Sequence, residues 1–478
     1  MAVDASPDTP GFWLLRLGAK LADDQTRMQR MEDYYCGDHP LPEGHERRRG
    51  IYRKLQRQAR ANYTGLITEA VRERLHVEGF RAGGSGEQDP QAWSQWQAAS
   101  LDADSGLPML DALVFRRGYV LVGRGDNGDA VITCESPRQC IHEFDPVRPR
   151  RVRASLKTWS DDVAKKRYAV VYLDGTISYF VANGSTTSFR ASTWQVDESE
   201  GDGGTAENPF GTNPMVPFIN RPRTGTDGLG EFEDVTDVQD RINNTILDRL
   251  VIAKMQAYRQ RWAKGVTLTD ENGTPIQMDP GADLLWAVED DNAAFGDFQQ
   301  ADLAGILKAA EADVRDLAAI SRTPAHYLLA TMVNISADAL LAAEIGLVAK
   351  AQERQRQFGE SWEQVMRLAA LAAGRTPNAD SEVIWKDPQT RTVAELYDAA
   401  SKAQGAGLPW RARMELLGFS PQTIDRFEAE RTADALLLAQ FPQLEAPGTP
   451  VRYTDTIHSP SVTGTPLAEP TSGPPAKQ

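Results

Sequence analysis

The sequence predicts an α+β fold, and three stretches carry that prediction. Residues 231 to 263 set Val235, Val238, Ile242, Ile246, Leu250 and Ala253 three or four apart, which stacks them on one face of a long helix. Residues 111 to 182 hold β-branched and aromatic runs, the last of them folded back on itself at Asp174 and Gly175, and so predict an antiparallel β region. From Ser336, an N-cap candidate, a helical pattern holds to about 373, roughly 55 Å at 1.5 Å per residue.

Taken in order, the chain opens with a helix over 12 to 35, with Phe12, Leu17, Leu21, Met28 and Met31 in period, stopped by Gly37, Pro40 and Pro42. A second helical run follows from 47 to 75. Its first part is basic, with Arg47, Arg48, Arg49, Arg53, Lys54, Arg57 and Arg60, a pattern that suits either nucleic acid or an intersubunit contact. In an acidic chain the contact is the favoured reading. Residues 79 to 90 read as a turn or linker, and the β region follows a short helical stretch.

Gly225, Gly228 and Gly230 precede the helix at 231. Their order is GxxGxG, without the strand and spacing of a phosphate cradle, so a hinge is expected there. The acids Glu231, Glu233, Asp234, Asp237 and Asp240 crowd the helix start, and Lys254, Arg259, Arg261 and Lys264 its end, as the helix dipole favours. Its apolar stripe needs a partner. The best candidate is 301 to 320, where Leu303, Ile306, Leu307, Ala310, Val314, Leu317 and Ile320 share the period.

Between the two helices, Asn272 and Gly273 signal a hairpin whose tip carries Asp270 and Glu271. Asp290 and Asp291, adjacent on a loop, read as a solvated tip rather than a metal pair. Pro324 ends the second helix by disfavouring helical geometry at Thr323. His326 is expected to be packed or capping. After the long helix, residues 383 to 440 read as short helices with stops at Gly405, Gly407 and Gly418, and the Pro-rich stretch from 446 is expected to be disordered.

Composition narrows the function. The chain of 478 residues is 41% hydrophobic and carries a net charge of −15, which argues against wrapping nucleic acid tightly. A surface past which DNA slides is compatible with it. Cys36, Cys134 and Cys140 lack CxxC spacing and are expected to be free thiols, without a zinc site. No apolar run approaches the roughly 20 residues that span a bilayer, and the first residues lack a signal-peptide pattern, so no membrane partner and cytoplasmic synthesis are expected. GxxxxGK[ST] is absent, which leaves a packaging ATPase without its phosphate loop, and the acids lie mostly on helix faces and loops, where a solvated face is the default, whereas a nuclease needs several converging on a metal. No catalytic, cofactor-binding or metal-binding residue is assigned. A scaffolding protein or non-ring adaptor is the other alternative; it would not need two long apolar stripes left for neighbours.

Several motifs together resemble the portal proteins of tailed bacteriophages, of the type found in long-tailed phages of actinobacteria. They are YYCGDHPLP from Tyr34, NPFGTNPMVPFINRP from Asn208, GLGEFEDVTDVQDRINNTILDRL from Gly228, FGDFQQADL from Phe295, TPAHYLL from Thr323 and VIWKDPQTRT from Val383. The resemblance implies a portal fold with a mainly helical wing, stem and crown, a β-rich wing subdomain and a small α/β clip. It implies a ring, normally of twelve subunits, at one capsid vertex, through which terminase packages the genome and through which it is later ejected.

On that template, 1–84 is the helical part of the wing, 85–225 the β-rich wing, 226–263 the first stem helix and 264–298 the clip. The second stem helix is 299–322, the kink and tunnel loop 323–345, the long helix and crown 346–440 and the tail 441–478. The expected stem packing residues are Val235, Val238, Ile242, Ile246, Leu250, Leu303, Leu307 and Val314. The clip tip is Asp270, Glu271, Asn272 and Gly273, and the tunnel loop lines the channel with Met332, Val333, Asn334 and Ile335. Implied partners are further copies of the chain, terminase, major capsid protein and scaffold, head-completion or adaptor proteins, and double-stranded DNA. The implied place is the portal vertex of the virion, after assembly in the host cytoplasm.

Overall fold

A computed structural model describes residues 3–42, 49–83, 88–184, 188–224, 227–257, 261–264, 294–297, 303–329, 337–389, 391 and 393–440. The chain divides into two compact units, Met1–Pro421 and Gln422–Gln478, and the helix α13 (Pro421–Gln440) makes up the described part of the second.

The first unit opens with α1 (Pro10–Cys36), a long helix because Pro10 sits at its first turn and Thr9 Oγ accepts from Phe12 N at 3.2 Å. The helical run expected over 47 to 75 is two helices, α2 (Arg49–Gln58) and α3 (Tyr63–Arg72). Asn62 divides them, since its side-chain oxygen caps Gly65 N at 3.0 Å and starts α3 afresh. Then come β1 (Val77–Arg81), α4 (Pro90–Ala98), α5 (Leu101–Asp104), α6 (Gly106–Phe115), β2 (Arg117–Arg124), β3 (Ala130–Glu135), β4 (Cys140–Phe144), β5 (Val152–Asp161), β6 (Lys166–Leu173), β7 (Thr176–Asn183), β8 (Trp194–Val196), β9 (Thr205–Glu207) and β10 (Met215–Ile219). A 3-10 turn over Glu233–Val235 leads into α7 (Thr236–Ala257). It is followed by β11 (Arg261–Lys264), β12 (Ala294–Asp297), α8 (Leu303–Ser321), α9 (Ala325–Leu329), α10 (Ala337–Ala372), β13 (Glu382–Trp385), α11 (Val393–Gly405) and α12 (Trp410–Leu416).

The mixture of helix and sheet is the one the sequence predicts. An antiparallel sheet runs in the order β4-β5-β6-β7-β8 with β9 also on β7, and the β6–β7 hairpin turns at Asp174 and Gly175. A smaller sheet orders β10-β2-β3, and β1 pairs with β13.

Five expectations are corrected. The run from Asp111 to Phe115 is the end of α6, not a strand: its apolar residues are buried all round and so show no period that separates helix from strand. Residues 79–81, read as linker, belong to β1, and 382–385, read as the start of a helix, form its partner β13. The helix over 231–263 is shorter at both ends, a 3-10 turn at its start and β11 at its end. Gly225 lies outside the described residues, and Gly228 and Gly230 are packed against the body rather than placed as a hinge. Gly228, at φ 83°, leaves no space for a Cβ, which would lie 2.3 Å from Asn220 O, and Leu229 N donates to that same carbonyl at 3.1 Å. Glu231 N donates to Leu113 O at 2.6 Å, which pins the segment to α6.

Two cores result. In one, Trp13, Leu14 and Leu17 of α1 meet Leu156, Phe180 and Trp194 of the larger sheet on the one hand and Ile242, Val314 and Leu317 of α7 and α8 on the other. In the second, α10 lays Phe358, Trp362 and Val365 against Trp96, Val120 and Phe218. Trp362 contacts the rings of Trp96 and Phe218 edge-on, both at 4.8 Å between centroids.

Candidate functional site

Helices α7 and α8 lie side by side and run in opposite directions. Arg241 meets Asp316 at 3.0 Å and Asp313 at 3.0 Å, while Thr245 Oγ, one turn on, donates to Asp313 at 3.1 Å, so residue numbers rise on one helix as they fall on the other. The polar contacts flank an apolar seam that joins the first core. Val235 and Ile242 are fully buried and Val314 nearly so, and Val238 and Ile246 pack on them partly covered. Burial fades along the pair: Leu250 and Leu303 are half-buried and Leu307 is 43% exposed. One end of the pair is rooted in the body, and among the described residues burial is lower toward the other.

At that other end β11 and β12 form a two-stranded antiparallel ladder, Arg261 opposite Asp297 and Lys264 opposite Ala294. Asp270, Glu271, Asn272 and Gly273 lie outside the described residues, as do Asp290 and Asp291.

The root of α7 is polar where the sequence shows only a stripe. Gln239 and Asn243, both buried, hold the chain between α2 and α3: Gln239 Nε2 donates to Ala61 O at 2.7 Å and Asn243 Oδ1 accepts from Ala61 N at 3.1 Å. Asn243 Nδ2 donates to Nδ1 of His39, whose Nε2–H donates to Tyr34 O, both at 3.2 Å. Burial pushes the His39 pKa below its usual value, which favours the neutral ring, and its Nε2 also lies 3.3 Å from Thr64 Oγ1.

The α8 end turns sharply. Arg322, at φ 52°, takes the left-handed position, and Thr323 N bonds back to Ala318 O at 3.0 Å and Arg322 N to Ala319 O, the closing pattern usual for glycine. Pro324 then starts α9. Residues 330–336 are outside the described set, and with them Met332, Val333, Asn334 and Ile335.

Described residues on either side of that segment are clasped together. Tyr327 of α9 donates through Oη to Glu344 of α10 at 3.3 Å, and Arg74 donates to Tyr327 Oη at 2.9 Å with Glu344 3.8 Å away. His326 is packed against the same carboxylate at 3.9 Å.

A buried ion cluster fixes α10 to both helices. Glu231, just before the 3-10 turn, faces Lys350 at 3.0 Å and Arg354 at 3.3 Å, and Lys350 Nζ also donates to Ser321 O, the last residue of α8, at 2.8 Å. Burial alone raises the Glu231 pKa, but two cations outweigh it and hold the carboxyl below its ordinary range. Lys350 moves down as well, because burial outweighs its half-share of a single carboxylate. The local sequence shows neither partner, since 119 or more residues separate them from Glu231.

Among the described residues no three His, Cys, Asp or Glu side chains come together as metal ligands, and no helix is long and apolar enough to cross a membrane. Cys36, Cys134 and Cys140 are free thiols.

Comparison with known proteins decides the identity. The family model described as phage portal protein, SPP1 Gp6-like, matches residues 16–432. The chain belongs to this family of phage portal proteins. The portal protein of Mycobacterium phage D29 is 28% identical over 439 residues, 85% of this chain and 87% of the relative, and that of Mycobacterium phage L5 is 29% identical over 445 residues, 86% of each. Portals are structural components of the virion whose general role is to form the channel for DNA, and the matched region contains both helices of the pair, β11, β12, α9 and α10.

Proposed function

We propose that this portal works as a closed ring, of twelve copies by resemblance, with α7 and α8 as its stem, residues 264–298 as the clip and the segment between α9 and α10 as the tunnel loop. The observation that carries the reading is the helix pair itself. It is anchored at one end by buried charges and leaves apolar side chains uncovered: Leu307 toward the far end of α8 is 43% exposed, and Ile320 beside the anchored end and Ile345 near the start of α10 are 52% and 66% exposed. Copies arranged side by side cover such side chains repeatedly, one copy's flank on the next.

In that ring terminase docks on the clip during packaging and head-completion proteins replace it afterwards. The hairpin tip at Asp270 to Gly273 serves both, because its side chains change without disturbing a core. The major capsid protein and scaffold surround the wing. Size-exclusion chromatography with light scattering tests the reading: the purified chain elutes as one species of about twelve chain masses, and a monomer at micromolar concentration contradicts it.

A further inference from the structure

Among the described residues, two exposed surfaces of opposite sign carry charges without ion pairs. On α2, Arg53, Lys54 and Arg57 are exposed, with 53 and 57 one turn apart on the same face, and none of the three makes an ion pair among the described residues. Like charges one turn apart weaken a helix, so the ridge costs α2 stability unless something outside it compensates. Its neighbour Arg60, by contrast, is paired with Asp38 at 3.1 Å.

The opposite surface is the loop between β8 and β9 together with β9 itself. Glu200, Asp202 and Glu207 are exposed and likewise make no ion pair among the described residues. The loop is held in one shape. Gly201, Gly203 and Gly204 take φ of 61°, 62° and 87°, Asp202 N donates to Thr205 O at 2.8 Å, and Tyr179 N donates to Gly204 O at 2.9 Å, which ties the loop to the sheet edge. Among the described residues no ion pair joins the two surfaces.

We infer that the α2 ridge of one subunit docks against the β8–β9 loop and β9 of the next, so that Arg53, Lys54 and Arg57 meet Glu200, Asp202 and Glu207 around the ring. A cyclic assembly needs this kind of contact: two different patches of the same chain, complementary to each other, repeated until the ring closes. Charge fits the partner better than nucleic acid does, because a duplex at the ridge leaves the acidic loop uncompensated in a chain of net charge −15. The contact rests on the ring reading and adds to it the residues that set order and orientation.

Two triple variants test the contact, each checked for native folding by circular dichroism. One is Arg53→Glu, Lys54→Glu, Arg57→Glu, and the other Glu200→Lys, Asp202→Lys, Glu207→Lys. Each alone is expected to need ~10-fold or more protein than wild type to assemble, since like charges then face each other at every interface. Mixed in equal amounts, the two are expected to regain assembly, because alternating subunits restore opposite charges at each contact. Wild-type assembly with unimpaired assembly of either variant, or a mixture that stays dissociated, overturns the contact and leaves the ring intact. A wild-type chain that is itself monomeric removes the ring and the contact together. A basic-ridge variant that assembles normally but no longer retards a linear duplex assigns the ridge to nucleic acid and overturns the inference.

Discussion

Glu231 Oε1 and Lys350 Nζ lie 3.0 Å apart with both residues more than nine-tenths buried, and the lysine reaches at the same time the last carbonyl of α8. One pair of side chains thus joins the root of α7, the end of α8 and the middle of α10.

Breaking that cluster is expected to destabilise the fold unequally, depending on which partner goes. Glu231→Gln leaves two buried cations facing each other without a counter-charge and should cost about 3–5 kcal/mol in denaturant unfolding. Lys350→Met leaves Glu231 balanced by Arg354 and should cost less. Equal losses, or a larger loss for Lys350→Met, contradict the assignment of Glu231 as the shared partner.

Acid stability follows from His142. The ring is buried with Nδ1 2.8 Å from Tyr119 Oη, and burial first, then Arg117, pushes its pKa down to about 3. The unfolded chain takes up a proton near pH 6.5 and the folded chain does not, so the stability from keeping this ring neutral is complete above 6.5 and is lost as pH falls from 6.5 toward 3. His142→Gln keeps an acceptor for Tyr119 without a titrating ring. Thermal melts of the variant should therefore lose less between pH 6.5 and 4 than those of wild type; parallel curves refute this source of acid sensitivity.

Stem residues should separate into two classes. Ile242 is fully buried in the chain's own core, and Ile242→Ala should cost ~2–5 kcal/mol in any assembly state. Leu307 is 43% exposed, so Leu307→Lys should change single-chain stability by no more than about 0.5 kcal/mol and weaken assembly instead. Light scattering and melting of both variants distinguish the classes. A Leu307→Lys chain that assembles as wild type removes this part of α8 from the subunit contact.

For the tunnel loop, Val333→Lys with Asn334→Lys should leave rings and proheads intact and impair packaging or retention of DNA, since added cations at close approach hold phosphate. Insoluble or misassembled subunits would instead place these residues in the subunit interior. Normal plaque formation excludes both placements.

The period of α7 and α8 was legible because each carries an apolar stripe on one face, and α10 because its pattern holds over many turns. What was not legible lies in pairs distant along the chain. Glu231 reads locally as an acid suited to a helix N-terminus, and only the fold brings Lys350 and Arg354 to it. β1 reads as linker because its partner β13 is some 300 residues away. The end of α6 fails for the opposite reason: buried on all sides, Ala112 to Phe115 carry no polar face to reveal a helical period. Gly228 looks like freedom and is confinement, since what matters is the carbonyl of Asn220 packed against it.

Electron micrographs of the purified wild-type chain, averaged along the symmetry axis, test the central claim most directly. The account predicts closed rings with a central opening and a narrower protrusion formed by the α7–α8 pairs. Isolated particles of single-chain size, or open filaments without closure, would contradict it.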